Sequence, residues 1–136
     1  MKAHILARFA ALFLLATAFA SCRKTESTPP VLYPPVILIY DPDEGSTVQG
    51  SVEISADIVD NDPAVIVSEV SVKITRDSDN ALVFEEGPIL NNTNLYSYHH
   101  IFSPAGLTGS TPMTLVISGK GSGKTASKSV KFTVKP

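Results

Sequence analysis

The single thiol of this 136-residue chain, Cys22, has the most specific chemistry of any residue in it. It follows Met1-Lys2-Ala3-His4, then Arg8, a largely apolar run from Phe9 to Phe19, and Ala20-Ser21. A charged start, an apolar centre and small residues before a cut make up a secretory signal, here residues 1–21. Arg8 interrupts the segment, and the run after it falls well short of the roughly 20 residues that span a bilayer. Having one cysteine also excludes an intrachain disulfide, so the core must hold by packing alone.

Gly119-Lys120-Gly121-Ser122-Gly123-Lys124-Thr125 has the residue types of a phosphate loop. That motif needs a glycine, four residues, then Gly-Lys-Thr, so that backbone amides wrap the phosphates ahead of a helix. Ser118 stands where the first glycine belongs, and Ser127–Val134 reads as a strand, so no helix N-terminus would face the phosphates. No nucleotide is expected. The segment reads as a flexible basic hairpin loop, whose paired Lys120 and Lys124 are candidates to touch an anionic ligand or lipid headgroup.

Asp57, Asp60, Asn61 and Asp62 gather in one loop, and Asp43 with Glu44 in another. Calcium takes about six to eight oxygens. In a sandwich these two loops lie at opposite ends, and Asp and Asn are ordinary turn formers. The sequence leaves open whether Asp57–Asp62 binds calcium. His99 and His100 are the only histidines after the signal. Adjacent strand residues point to opposite faces, so the two cannot readily chelate one metal. No metal and no other cofactor is expected.

Tyr96, Tyr98 and Phe102 share one face of a strand, with His100 between them. That face is expected to pack in the core; were it exposed, Tyr96 and Tyr98 would stack on sugar rings or anchor a protein. There is no Ser-His-Asp order in a recognisable context and no carboxylate pair suited to a cleft. No catalytic residue and no enzyme activity are expected.

Phe19-Ala20-Ser21-Cys22 resembles the lipobox, cut by the lipoprotein signal peptidase, which reads Leu, a small residue, Ala/Gly/Ser, then Cys. Phe19 replaces the aliphatic residue, and the Ser-Cys ending is similar to that of Bacteroidetes lipoproteins. The resemblance implies lipidation of Cys22, with diacylglycerol on the sulfur and a third chain on the new amino terminus. At about 0.8 kcal/mol per buried methylene, two chains already give stable anchoring.

Residues 22–35 then read as a flexible linker, rich in Ser and Thr up to Thr28 and in proline at Pro29, Pro30, Pro34 and Pro35. At about 3.1 Å per residue, this tether would hold the next domain roughly 40 Å from the membrane. Arg23 and Lys24 depart from the acidic run that surface-exported lipoproteins of this type often carry, which favours the periplasmic face of the outer membrane.

Residues 36–136 suffice for one domain and not two. Loss of residues 1–21 removes Lys2 and Arg8, leaving 9 basic against 13 acidic residues and a net charge of −4. That is too mild to imply a nucleic-acid partner. Val52, Ile54, Ala56 and Ile58 alternate with polar residues, as do Val70, Val72 and Ile74, then Val130, Phe132 and Val134. Met113, Leu115 and Ile117 alternate more weakly. Val36–Tyr40, Ala81–Glu85 and Leu95–Phe102 complete about seven strands, separated by Asp-, Asn-, Pro- and Gly-rich turns. The pattern predicts an all-β chain, an antiparallel immunoglobulin-like β-sandwich.

Tyr40-Asp41-Pro42-Asp43-Glu44-Gly45-Ser46-Thr47-Val48, Ala56 to Asp60-Asn61, and the final Phe132-Thr133-Val134 carry a further resemblance. They are similar to the bacterial immunoglobulin-like modules, cousins of fibronectin type III, of Bacteroidetes lipoproteins. The resemblance implies a fold and leaves function open, since this fold hosts many. The expected role is a non-enzymatic, lipid-anchored envelope protein presenting one domain to a protein partner. A carbohydrate-binding accessory lipoprotein is the alternative.

Overall fold

The structure, a computed structural model, describes residues 31–136; the signal, Cys22 and the linker up to Pro30 lie outside the described residues. The described chain is all-β. It comprises β1 (Val36–Asp41), β2 (Thr47–Gln49), β3 (Val52–Val59), β4 (Val67–Arg76), β5 (Ala81–Thr93), β6 (Leu95–Phe102), β7 (Thr111–Gly121) and β8 (Lys124–Lys135). Two sheets, ordered β1-β3-β6 and β2-β8-β7-β4-β5, form an immunoglobulin-like sandwich. All pairings are antiparallel except that of β2 with β8.

The alternating residues are the core. Val52, Ile54, Ala56 and Ile58 of β3 face Val70, Val72 and Ile74 of β4 and Met113, Leu115 and Ile117 of β7, all essentially without exposure. Phe132 and Val134 of β8 extend the same buried cluster. Burying one such side chain contributes about 1.5–3 kcal/mol, and β-branched residues suit the pleated surface as well. Among the described residues every core residue lies between Ile37 and Val134, and residues 31–136 form a compact unit by themselves. This piece therefore contains the packing it needs to fold alone.

Two differences from the sequence expectation have clear causes. The strand count rises to eight because Thr47–Gln49 pairs parallel to β8, a segment too short to show any periodicity. It is set in place by the turn before it. Glu44 Oε2 accepts the Lys131 N–H at 2.9 Å, and the Gly45 N–H donates to the Lys131 carbonyl at 2.7 Å. Strand β5 also continues through Asn91-Asn92-Thr93, which reads as a turn, leaving Asn94 alone between β5 and β6. Asn91 Nδ2 donates to the Thr93 carbonyl at 3.0 Å and braces that corner.

The register defines two poles. Val36 pairs with Val59, Val59 with Leu95, and Val67 with Gly121, so residues 31–35 lead into the sandwich at that end. At the other end Val52 meets Phe102, Arg76 meets Met113, and Gln49 meets Lys135.

Candidate functional site

The Gly119–Thr125 segment is not a loose loop. Strand β7 runs through Gly121 and β8 begins at Lys124, so only Ser122 and Gly123 turn the chain. Both have positive φ, 51° and 71°, which makes a tight hairpin turn of the kind that matches strand twist. The other two glycines serve packing. A Cβ at Gly119 would lie 2.6 Å from Ile58 Cγ2, and one at Gly121 would lie 2.5 Å from Asp60 Oδ2. Close approach of the opposite sheet and of the Asp60 loop explains these residues without any phosphate.

Lys120 and Lys124 do not act as a pair. Lys120 stands opposite Thr125, and Lys124 opposite Gly121, so period-two alternation sends the two ammonium groups to opposite faces. Lys120 borders a small polar depression on the outer face of the five-stranded sheet, with Glu69, Ser71, Ser118 and Thr125. Its volume is about 190 Å³.

The carboxylates of the Asp57–Asp62 stretch point apart. Asp57 faces outward and accepts from Tyr40 Oη at 3.0 Å and Ser97 Oγ at 2.6 Å. Asp60 is turned inward, 4% exposed, with Oδ1 accepting the Asp62 N–H at 3.1 Å. Asp62 in turn accepts the Ala64 N–H at 2.9 Å. Asp43 and Glu44 sit at the opposite pole, where Glu44 clasps β8. Among the described residues no three His, Cys, Asp or Glu side chains converge on a metal site.

The aromatic face of β6 turns inward and closes the flank of the sandwich against β5. Tyr98 is 5% exposed, and Tyr96 is half-buried against the core. Phe84 of β5 packs at a tilt against His100, ring centroids 4.7 Å apart, and lies 5.7 Å from Phe102. Such pairs contribute about 0.5–1.5 kcal/mol beyond their buried area. His99 points the other way and meets Glu53 Oε1 at 2.9 Å. The two histidines thus occupy opposite faces, and Tyr98 offers no open platform.

Tyr98 Oη donates to Glu86 Oε2 at 2.6 Å. Glu86 is on the core-facing side of an edge strand, a placement that also discourages pairing with another chain. Burial pushes the Tyr98 phenol well above its ordinary value of 10.0, and the Glu86 carboxylate adds to the shift. The neutral phenol is the form the fold favours. Its contribution is therefore complete below about pH 10 and declines as alkali ionises the unfolded chain.

A second hollow, of about 350 Å³, is at the pole away from Val36, lined by Arg76, Val83, Phe102, Ser103, Leu107 and Met113 among others. Nothing in the sequence reading pointed to Arg76. The signal was present in the parity of β4, where Val70, Val72 and Ile74 place Arg76 on the same inward row.

No family model matches the chain, and no curated protein does either. Among solved structures, a crystal structure of an engineered protein superposes with a TM-score of 0.54 at 15% identity, covering 78% of this chain and 21% of that one. That likeness shows the fold alone. An endo-β-1,4-mannanase from Thermotoga petrophila gives a TM-score of 0.46 at 22% identity, covering 79% of this chain and 21% of that one, too slight to bear on function. The chain spans about a fifth of the length of these solved chains, 21% in each case.

Proposed function

We propose that the chain is a non-enzymatic, lipid-anchored protein of the cell envelope that presents one immunoglobulin-like domain to a protein partner. The observation that supports this reading is where the chain enters the sandwich. Residues 31–35 lead into the sandwich at Val36, at one pole, so the opposite pole and both outer sheet faces carry no part of that entry. Of the side chains weighed for metal binding, Asp57 bonds Tyr40 and Ser97, Glu44 bonds β8, and His99 meets Glu53. The Cys22 flank supports the outer membrane, periplasmic face, as the location.

The carbohydrate-binding alternative loses its tyrosine platform, because Tyr98 is buried. It would draw instead on the hydroxyl-lined depression beside Lys120. The test is photo-crosslinking in the native envelope, with the reactive group at exposed Ala105 on the free pole or in place of Ser127 on the sheet face. A discrete protein adduct is expected. Labelling of glycan alone would favour the alternative, and uniform weak labelling of everything nearby would contradict the proposal.

A further inference from the structure

The inward row of β4 runs Val70, Val72, Ile74 and then Arg76, where alternation calls for one more apolar side chain. Arg76 stands opposite Met113 of β7 and Ala81 of β5, at the pole away from the linker. There the two sheets do not close on each other, and the hollow of about 350 Å³ remains. Its floor is core: Phe102 and Met113 are 5% and 1% exposed, and Leu107 packs on the same cluster. A cavity of this size falls at the small end of the roughly 300–1,000 Å³ typical of ligand pockets.

Arg76 also has a side-chain partner. Its Nε donates to Asp79 Oδ1 at 3.0 Å, and the Ala81 N–H donates to the same oxygen at 3.2 Å. Among the described residues the two Nη groups have no acceptor. A planar guanidinium held by one edge, with its other donors free beside an apolar hollow, matches the geometry of a carboxylate.

We propose that this cavity binds a small amphiphilic acid, its apolar chain against Phe102, Leu107 and Met113 and its carboxylate on the Nη edge of Arg76. The site lies wholly within residues 31–136, so it stands or falls independently of Cys22.

Octanoate is a suitable probe, added below its micelle-forming concentration to residues 31–136 and followed by amide chemical shifts. Saturable shifts are expected at Arg76, Val83, Phe102 and Leu107. Octanol, with the same chain and no charge, is expected to bind at least about tenfold more weakly, the difference a charge-assisted fork makes. Arg76→Gln should abolish that preference while octanol still binds. Asp79→Asn, whose amide oxygen still accepts from Nε while the competing negative charge is gone, should leave the preference intact or enlarge it. Equal binding of octanoate and octanol to the unmodified protein would overturn the proposal, with no variant needed. So would an Arg76→Gln protein that still prefers octanoate, or the absence of any shift at these amides.

Discussion

Gly87→Ala is expected to remove about 3 kcal/mol or more of folding stability, seen as a lower urea midpoint with an unchanged slope. Two independent effects add. Gly87 has φ of +119°, where side-chain-bearing residues are strained. A Cβ there would also lie 2.8 Å from the Val70 carbonyl oxygen and 3.0 Å from Ser71 Cα. Both atoms belong to the backbone of β4, an interior strand of the five-stranded sheet, so neither can yield without breaking the ladder. The register of β4 on β5 shifts at this point, between Val70 and Val72, and the glycine lets the edge strand bend close. A domain of about 100 residues has roughly 5–15 kcal/mol in all, so this loss is a large share. A change under about 0.5 kcal/mol would mean that β5 is not bent onto β4 as described.

The second large effect joins the two sheets. Gly119 of β7 and Ile58 of β3 meet so closely that an alanine at Gly119 would press its Cβ to within 2.6 Å of Ile58 Cγ2. Ile58 has no exposure and no room to move. Gly119→Ala should therefore cost about 1–3 kcal/mol as overpacking, and Ile58→Ala about 2–5 kcal/mol as a cavity. The double variant should cost less than the sum by roughly 0.5–3 kcal/mol, because each change relieves the other. Denaturant unfolding of all four proteins measures this coupling. Strict additivity would show that the glycine is not there to admit the isoleucine.

Glycines also explain why fold and site were legible to different degrees. Strands β3, β4 and β8 were readable because their buried residues fall on every second position, and those residues are the core. Gly119 and Gly121 read as a loop because glycine marks turns and close approaches alike, and Ile58 and Asp60, which crowd them, lie about sixty residues away. The bond from Tyr98 to Glu86 was hidden for a related reason. It joins edge strands of opposite sheets, and no local pattern encodes which two will be adjacent. Lys120 and Lys124 show the reverse: strand parity alone separates them, once both are placed in strands rather than in a loop. Arg76 falls on the same inward row of β4, but a charged side chain at the end of an apolar row does not mark a strand face as Val70, Val72 and Ile74 do.

Taken together, most of the reactive side chains of the domain are committed to holding it together, and the chemistry assigned to the chain returns to Cys22. The account requires that this thiol, once acylated, be what keeps the protein at the membrane. Fractionation of cells producing the chain or its Cys22→Ala variant tests this directly. The unaltered protein is predicted to stay in the membrane pellet through a high-salt wash and to enter solution only with detergent. Cys22→Ala is predicted to leave the acylated form and lose that retention. A Cys22→Ala protein that remained in the salt-washed pellet would contradict the account.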